Sequence, residues 1–199
     1  MKKEDINCPP YAPVLMESTR AIGYSIESAV ADIVDNSIAA KAKNVSIWYN
    51  FFPKPYIAIC DDGKGMDAKK LTESMRYGSV SPNEERTPDD LGRYGLGLKT
   101  ASLSQCRSLT VISKVNGNCE GRRWDLDHIK KTEKWSLEQL SEEEMSTVCT
   151  FEKLKDLDNG TLVIWNELDK LKSGSLTLEN AMEEKMLSVK KHLELVFHR

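Results

Sequence analysis

The sequence lacks the features that would assign the chain to several common classes of protein. No segment approaches the ~20 apolar residues of a membrane-spanning helix, and the charged first residues are not followed by the apolar part of a signal peptide. The five cysteines form no CxxC pair and no spacing typical of a zinc site. A net charge of −3 provides no basic face for a nucleic acid. We therefore expect a cytoplasmic protein with reduced thiols and no membrane partner, in which any contact with DNA is made outside this sequence.

Length and hydrophobic content indicate one globular domain. A chain of 199 residues, 40% of them hydrophobic, can bury a full core but is short for two domains. Three early prolines predict an extended lead over residues 1–14, so that the domain covers residues 15–199 and its first helix residues 16–22. A helical pattern continues to the last residues. We therefore expect the sequence to be the N-terminal part of a longer protein.

The first candidate site is a helix that carries a carboxylate and a carboxamide four residues apart. In the segment ADIVDNSIAAKA, residues 31–42, Asp32 and Asn36 share one face, because residues four apart on a helix are neighbours. Oxygen atoms of both side chains can reach one small polar object, such as a hydrated metal ion. The same spacing is common on solvated helices, so the pair alone does not distinguish a binding site from an exposed face.

A predicted β-hairpin follows, and its second strand ends in a carboxylate. The segments VSIWYNFF, residues 45–52, and YIAIC, residues 56–60, are rich in β-branched and aromatic residues and are separated by a proline-containing turn. Asp61 follows the second strand directly, with Gly63 and Gly65 at DxGxG spacing. An ionised Asp accepts hydrogen bonds from an exocyclic amine such as that of adenine, and glycines let the backbone approach a flat ligand. A turn that merely ends the strand is the alternative.

A long polar loop then precedes a glycine-rich segment. Residues 67–76 predict a short helix, and residues 77–90 form a loop with two prolines and no periodic apolar residues, which is typical of functional or disordered loops. The glycines of residues 91–101 lead into an apolar helix over residues 98–106. Free N–H groups at such a junction bind anions. The Walker-type pattern GxxxxGK[ST] is absent, because Leu98 occupies the position of its lysine.

The second half of the chain predicts further elements but no ligand site. Residues 108–115 and 121–126 predict a hairpin around an Asn-Gly turn. Residues 137–145 predict a helix, residues 162–168 a strand, and residues 175–198 a long helix with an apolar packing face. The three histidines share no spacing typical of metal ligands.

Taken in order, these motifs resemble those of the GHKL superfamily of ATP-binding domains, which includes gyrase, heat-shock chaperones, histidine kinases and MutL. They are D-x-x-x-N on a helix, D-x-G-x-G after a strand, a polar loop that ends in G-x-G-L-K-T, and Gly-Thr before a later strand. The segments DIVDNSIAA, DDGKGM and GRYGLGLKTAS are most similar to the MORC-like ATPases and their bacterial relatives. The resemblance covers most of the chain. It implies an α+β fold of the Bergerat type, a two-layer α/β sandwich with a mixed, mostly antiparallel sheet and helices on one face.

The resemblance also implies a site for ATP and Mg²⁺. Asp32 occupies the position of the residue that activates water, Asn36 that of a Mg²⁺ ligand, and Asp61 that of the adenine acceptor. Thr161 would support Asp61 through a water molecule. The other residues that the resemblance assigns to the nucleotide are Gly63, Gly65, Met66, Gly92, Arg93, Tyr94, Gly95, Leu96, Gly97, Leu98 and Lys99.

Two positions depart from the family pattern. The water-activating residue is usually Glu, and Asp32 is one methylene shorter, while Ala39 stands where many members have Asp. We therefore expect slow hydrolysis of Mg-ATP, with closure of the polar loop driving a conformational change or a nucleotide-dependent homodimer of a larger protein. One alternative is an ATP-sensing module without catalysis. The other is a histidine-kinase-type catalytic domain, which is disfavoured because the 31 residues before Asp32 contain no histidine.

Overall fold

The computed structural model describes residues 6–21, 23–78, 97–171 and 177–198. No helix within these ranges has the length and apolar content needed to cross a membrane. In chain order the described elements are α1 (Ala12–Arg20), α2 (Ile26–Ala39), β1 (Val45–Asn50), β2 (Tyr56–Asp61), α3 (Ala68–Met75), α4 (Gly97–Gln105), β3 (Ser108–Val115), β4 (Asn118–Asp125), α5 (Leu126–Thr132), β5 (Glu138–Leu140), α6 (Glu142–Ser146), α7 (Phe151–Lys155), β6 (Gly160–Asn166) and α8 (Leu178–Val196).

The strands form one sheet in the order β1-β2-β6-β3-β4-β5. The last of the described strands, β6, therefore lies between two strands that precede it by many residues. Its register pairs Thr161 with Asp61 of β2 on one side and with Ser113 of β3 on the other. The predicted α+β sandwich is confirmed, and every described strand pair is antiparallel.

The main core lies between the sheet and a layer of helices. Alternate residues of the strands, such as Ile59, Val111 and Val163, belong to one cluster with apolar residues of α2, α4 and α8. Burial of these residues holds α2 against the end of the sheet where Asp61 lies. The opposite face carries a smaller cluster, in which Phe151 and Leu154 of α7 are buried against the sheet. The helix on this second face was not predicted, because the prediction had helices on one face of the sheet.

Local sequence signals explain where several helices begin. The Ser25 hydroxyl caps α2, and the Asp67 carboxylate caps α3 as an Asp before a helical pattern predicts. Ser141 and Glu144 form a reciprocal capping box at the start of α6. These caps satisfy N–H groups that the helices leave without internal partners.

Some elements differ from the prediction. Helix α1 begins at Ala12 because Pro13 lies in the first turn, where the missing N–H of proline removes no helical hydrogen bond. Residues 138–140 are a strand, since they pair with β4 at the edge of the sheet. Helices α5 and α7 were missed because they have only 7 and 5 residues and show no clear period.

Candidate functional site

The centre of the candidate site is the carboxylate of Asp61, which lies at the end of β2 and is only 6% exposed. One oxygen accepts a hydrogen bond from the Ser37 hydroxyl of α2 at 2.9 Å. The other accepts from the backbone N–H of Gly63, also at 2.9 Å. Two separate elements thus fix the orientation of this carboxylate.

Burial raises the pKa of Asp61 above its ordinary value. Hydrogen bonds from Gly63, Ser37 and the backbone of Thr161 act in the opposite direction but do not cancel the effect of burial. Ionisation of Asp61 therefore costs the folded protein free energy. A buried carboxylate with a raised pKa is a candidate for a functional residue.

Asp61 is one of three polar side chains that lie side by side in neighbouring strands. Thr161 of β6 is paired with Asp61 of β2, and Ser113 of β3 is paired with Thr161. The hydroxyl oxygens of Ser113 and Thr161 are 2.9 Å apart. The three side chains point toward the helix layer, because the residues two positions away in each strand belong to the main core.

The DxGxG loop lies directly against this polar row. Gly65 has a φ of +66°, and a Cβ atom there would overlap the carbonyl oxygen of Lys114. A Cβ atom on Gly63 would lie 2.9 Å from the Cβ atom of Ala40 at the end of α2 and 2.9 Å from an Asp61 carboxylate oxygen. The next residue after Gly65, Met66, donates its backbone N–H to the Ser113 hydroxyl at 2.8 Å. Glycine is therefore required at both positions for the loop to contact the sheet.

Asp32 and Asn36 lie on α2, and Asp32 is near the beginning of α4. Asn36 is exposed and Asp32 is half-buried. A Cβ atom on Gly97, the first residue of α4, would lie 4.0 Å from a carboxylate oxygen of Asp32. Burial raises the pKa values of Tyr24 and Asp35, and the nearby charge of Asp32 raises both of them further. Asp32 thus faces the N-terminus of α4 with a phenol beside it.

Lys99 has a different environment from the one that its position in the glycine-rich segment suggests. Its side chain is 1% exposed, and its ammonium donates to the carbonyl oxygen of Ser74 at 2.6 Å. Burial lowers the pKa of Lys99 to about 8. Its bond to Ser74 connects α4 to the end of α3. A contact between Lys99 and phosphate stays a prediction.

The remaining predicted residues of the glycine-rich segment fall outside the described ranges. They are Gly92, Arg93, Tyr94, Gly95 and Leu96. Most of the predicted polar loop also lies there, and Gly97 and Leu98 begin the described part at α4.

Within the described ranges, no group of three His, Cys, Asp or Glu side chains could hold a metal ion. A Mg²⁺ ion bound with ATP needs few protein ligands, because phosphate oxygens and water supply most of its coordination. Asn36 offers one hard oxygen donor on the exposed side of α2. The donor set therefore fits Mg²⁺ delivered with a nucleotide better than a metal held by protein alone.

Residues 24–161 match the family model of the histidine kinase-, DNA gyrase B- and HSP90-like ATPases. This match covers more than half of the chain, so the chain belongs to that family. It is also similar to ATPase morc-1 of Caenorhabditis elegans, with 29% identity over 91 residues, which cover 45% of this chain and 10% of that protein. A second relative is the structural maintenance of chromosomes flexible hinge domain-containing protein 1 of Homo sapiens, with 26% identity over 144 residues, covering 56% of this chain and 7% of that protein.

These matches confirm the predicted superfamily and the likeness to MORC-like ATPases. The chain is an ATP-binding module of the ATPase type. The matched span contains every residue of the predicted site. The chain spans a tenth or less of the length of the two curated relatives.

Sequence reasoning missed two residues of the site, Ser37 and Ser113. Ser37 follows Asn36 directly, and the available signal was its helical spacing from Ile33 and Val34, which places it on the apolar face of α2. Ser113 is a polar residue in an otherwise apolar strand, but its position beside Thr161 depends on a register that the sequence does not display.

Replacing Asp61 by Asn should stabilise the domain without nucleotide, and the gain should increase with pH. Asn keeps an oxygen for the Gly63 N–H, and its amide can donate to the Ser37 hydroxyl, which can donate to the Ile33 carbonyl oxygen 3.2 Å away. Folding raises the pKa of Asp61, so the protonated form of Asp61 contributes to the free energy of unfolding. This contribution is fully present below the unfolded pKa of about 4 and is lost as the pH rises through the folded pKa. Thermal unfolding between pH 4 and pH 8 measures this difference.

Asp62→Asn is the matched control, and it should show the opposite trend. Hydrogen bonds from Asn44 and Lys43 lower the pKa of Asp62, so its ionised form stabilises the fold above the unfolded pKa and this contribution is lost on acidification. Equal pH trends for the two variants would contradict the environment described for Asp61.

Proposed function

We propose that this domain binds ATP together with Mg²⁺ and hydrolyses it slowly, with adenine bound at Asp61 and the phosphates at the beginning of α4. The observation that carries the proposal is the buried Asp61 carboxylate, which Ser37 and Gly63 hold beside Thr161 and beneath the glycine loop. An ionised carboxylate only accepts hydrogen bonds, and the exocyclic amine of adenine donates them. The membership of an ATPase family supports the same nucleotide.

The phosphate side of the proposed site is formed by α2 and α4. The first N–H groups of α4 lack helical partners, and the helix dipole makes this end attractive to anions. Asn36 would hold a Mg²⁺ ion that neutralises phosphate charge. Asp32 would take a proton from an attacking water, and its position near Gly97 supports this role.

The length of the Asp32 side chain supports slow hydrolysis. It is one methylene shorter than the Glu that the family usually has at this position, which reduces its reach toward an attacking water. A module that senses ATP without catalysis is the second candidate, and the same shortening favours it.

Asp61→Asn should weaken ATP binding by about 30- to 150-fold, because it loses a charge-assisted hydrogen bond and sets two donors against each other, at a cost of about 2 to 3 kcal/mol. Isothermal titration of ATP in the presence of Mg²⁺ measures the change. Asp62→Asn is again the control and should bind ATP like the wild type, since Lys43 and Asn44 occupy that carboxylate. Unchanged affinity in Asp61→Asn would exclude Asp61 as the adenine acceptor.

The two variants Asn36→Ala and Asp32→Ala should lose different properties, the first in metal binding and the second in turnover. Loss of the Asn36 oxygen should remove the Mg²⁺ dependence of ATP binding. Asp32→Ala should leave binding intact and lower turnover by roughly 10²-fold or more. ATP titrations with and without Mg²⁺, together with phosphate release, measure both effects. No phosphate release from the wild type or from longer chains would favour the sensing module, whereas equal loss of binding in both variants would make Asp32 structural.

We also propose that residues 77–90 close over bound ATP, and that closure drives a conformational change or dimerisation of a larger protein. The polar, proline-containing sequence of the loop and the family membership support this. At its start, the Tyr77 ring packs 5.4 Å from Trp135 and 6.0 Å from Trp124, measured between ring centroids. These contacts anchor the first residue of the loop.

A non-hydrolysable ATP analogue should protect the segment between Gly78 and Gly92 from proteolysis more than ADP does, because only the γ-phosphate of the analogue would reach the glycine-rich amides. Limited proteolysis of the free, ADP-bound and analogue-bound protein measures this. Identical cleavage in all three samples would rule out closure that depends on the γ-phosphate.

A further inference from the structure

We propose that Ser113 is a positioning residue that fixes the direction in which the Thr161 hydroxyl forms hydrogen bonds, and thereby makes the site select a 6-amino purine over a 6-oxo purine. The inference deepens the proposed function and rests on the binding of the base at Asp61. It concerns a residue that lies outside the sequence motifs of the site.

The Ser113 hydroxyl is fully buried and makes three short contacts. Its oxygen lies 2.8 Å from the backbone nitrogen of Met66, 3.0 Å from the carbonyl oxygen of Gly160 and 2.9 Å from the hydroxyl oxygen of Thr161. A serine hydroxyl has one proton and two lone pairs, so it can take part in three hydrogen bonds. All of its capacity is therefore used by these three neighbours.

The chemistry of two neighbours determines the role of the third. The Met66 N–H can only donate, and it uses one lone pair of Ser113. The Gly160 carbonyl can only accept, and it uses the single proton of Ser113. The second lone pair of Ser113 must then accept the proton of Thr161. This is the one arrangement in which each of the three contacts contains a hydrogen.

Thr161 consequently has only lone pairs left for other partners. It lies between Ser113 and Asp61, and ionised Asp61 also has only lone pairs to offer. Two neighbouring acceptors therefore face a base bound there. A water molecule between them would donate both protons to them and present only its own lone pairs to the base, so the preference passes through such a water unchanged.

A base with an amine at position 6 satisfies these acceptors, whereas a base with a carbonyl at position 6 sets lone pairs against lone pairs. Sites built around buried hydrogen-bonding groups reject such mismatches strongly, because the groups stay unpaired. The backbone around Ser113 leaves little room for adjustment, since a Cβ atom on Gly160 would overlap the carbonyl oxygen of Asp61 and one on Gly65 would overlap that of Lys114. Adenine is therefore favoured by Thr161 in addition to Asp61.

The test compares the affinities of ATP and inosine triphosphate, which has a carbonyl in place of the 6-amine. We define the selectivity ratio as the dissociation constant of inosine triphosphate divided by that of ATP. This ratio should fall about fivefold in Ser113→Ala, because the freed Thr161 hydroxyl can turn and donate to the carbonyl. Thr161→Val should lower the ratio similarly. The double variant should show no further decrease, since Ser113 acts through Thr161.

Two controls separate this role from general damage to the site. Thr161→Ser keeps the hydroxyl and should keep the ratio of the wild type. Ser108→Ala removes another buried hydroxyl from β3, at the end of the strand opposite to Ser113, and should also keep it. If Ser113→Ala does not fold, the comparison of Thr161→Val with Thr161→Ser decides the matter.

An equal loss of affinity for both nucleotides in Ser113→Ala would make Ser113 merely structural and overturn the inference. An unchanged ratio in Thr161→Val would overturn it as well. A failure of the proposed function gives a different result, in which Asp61→Asn binds ATP as tightly as the wild type does.

Discussion

The candidate site depends on the burial of one carboxylate, that of Asp61 at the end of β2, away from water. Burial of Asp61 raises its pKa, and donors from α2, the glycine loop and β6 only partly offset this. A group that costs stability in this way must be held by its surroundings. Much of the local structure can be understood as supplying those donors: the Ser37 side of α2 faces the sheet, and Gly63 brings the loop back over Asp61.

The position of β6 connects Asp61 to more distant parts of the fold. Because β6 lies between β2 and β3, Thr161 is paired with both Asp61 and Ser113, although about fifty residues of sequence separate the paired positions of β3 and β6. Ser113 in turn holds the backbone of Met66. The polar row thus joins the glycine loop to three strands. The same row provides the hydrogen-bonding pattern proposed to recognise the base.

The elements that local signals define could be predicted from the sequence, and those that depend on distant pairing could not. The helix with Asp32 and Asn36, the hairpin before Asp61 and the Asp67 cap follow from periodicity, β-propensity and capping. Ser113 was missed because the sequence of neither β3 nor β6 shows the register in which these distant strands pair. Residues 138–140 became a strand because the edge of β4 was available to them. Lys99 lies in a glycine-rich segment, but only tertiary packing shows that its ammonium contacts Ser74.

The adenine of ATP is proposed to bind to Asp61, and a crystal structure of the protein with a non-hydrolysable ATP analogue and Mg²⁺ would show where the base lies. The exocyclic amine of the base should lie about 3 Å from an Asp61 carboxylate oxygen, or one water molecule away from it. The phosphates should lie at the beginning of α4. A base bound away from Asp61, with that carboxylate still bonded to Ser37 and Gly63, would rule out Asp61 as the adenine acceptor.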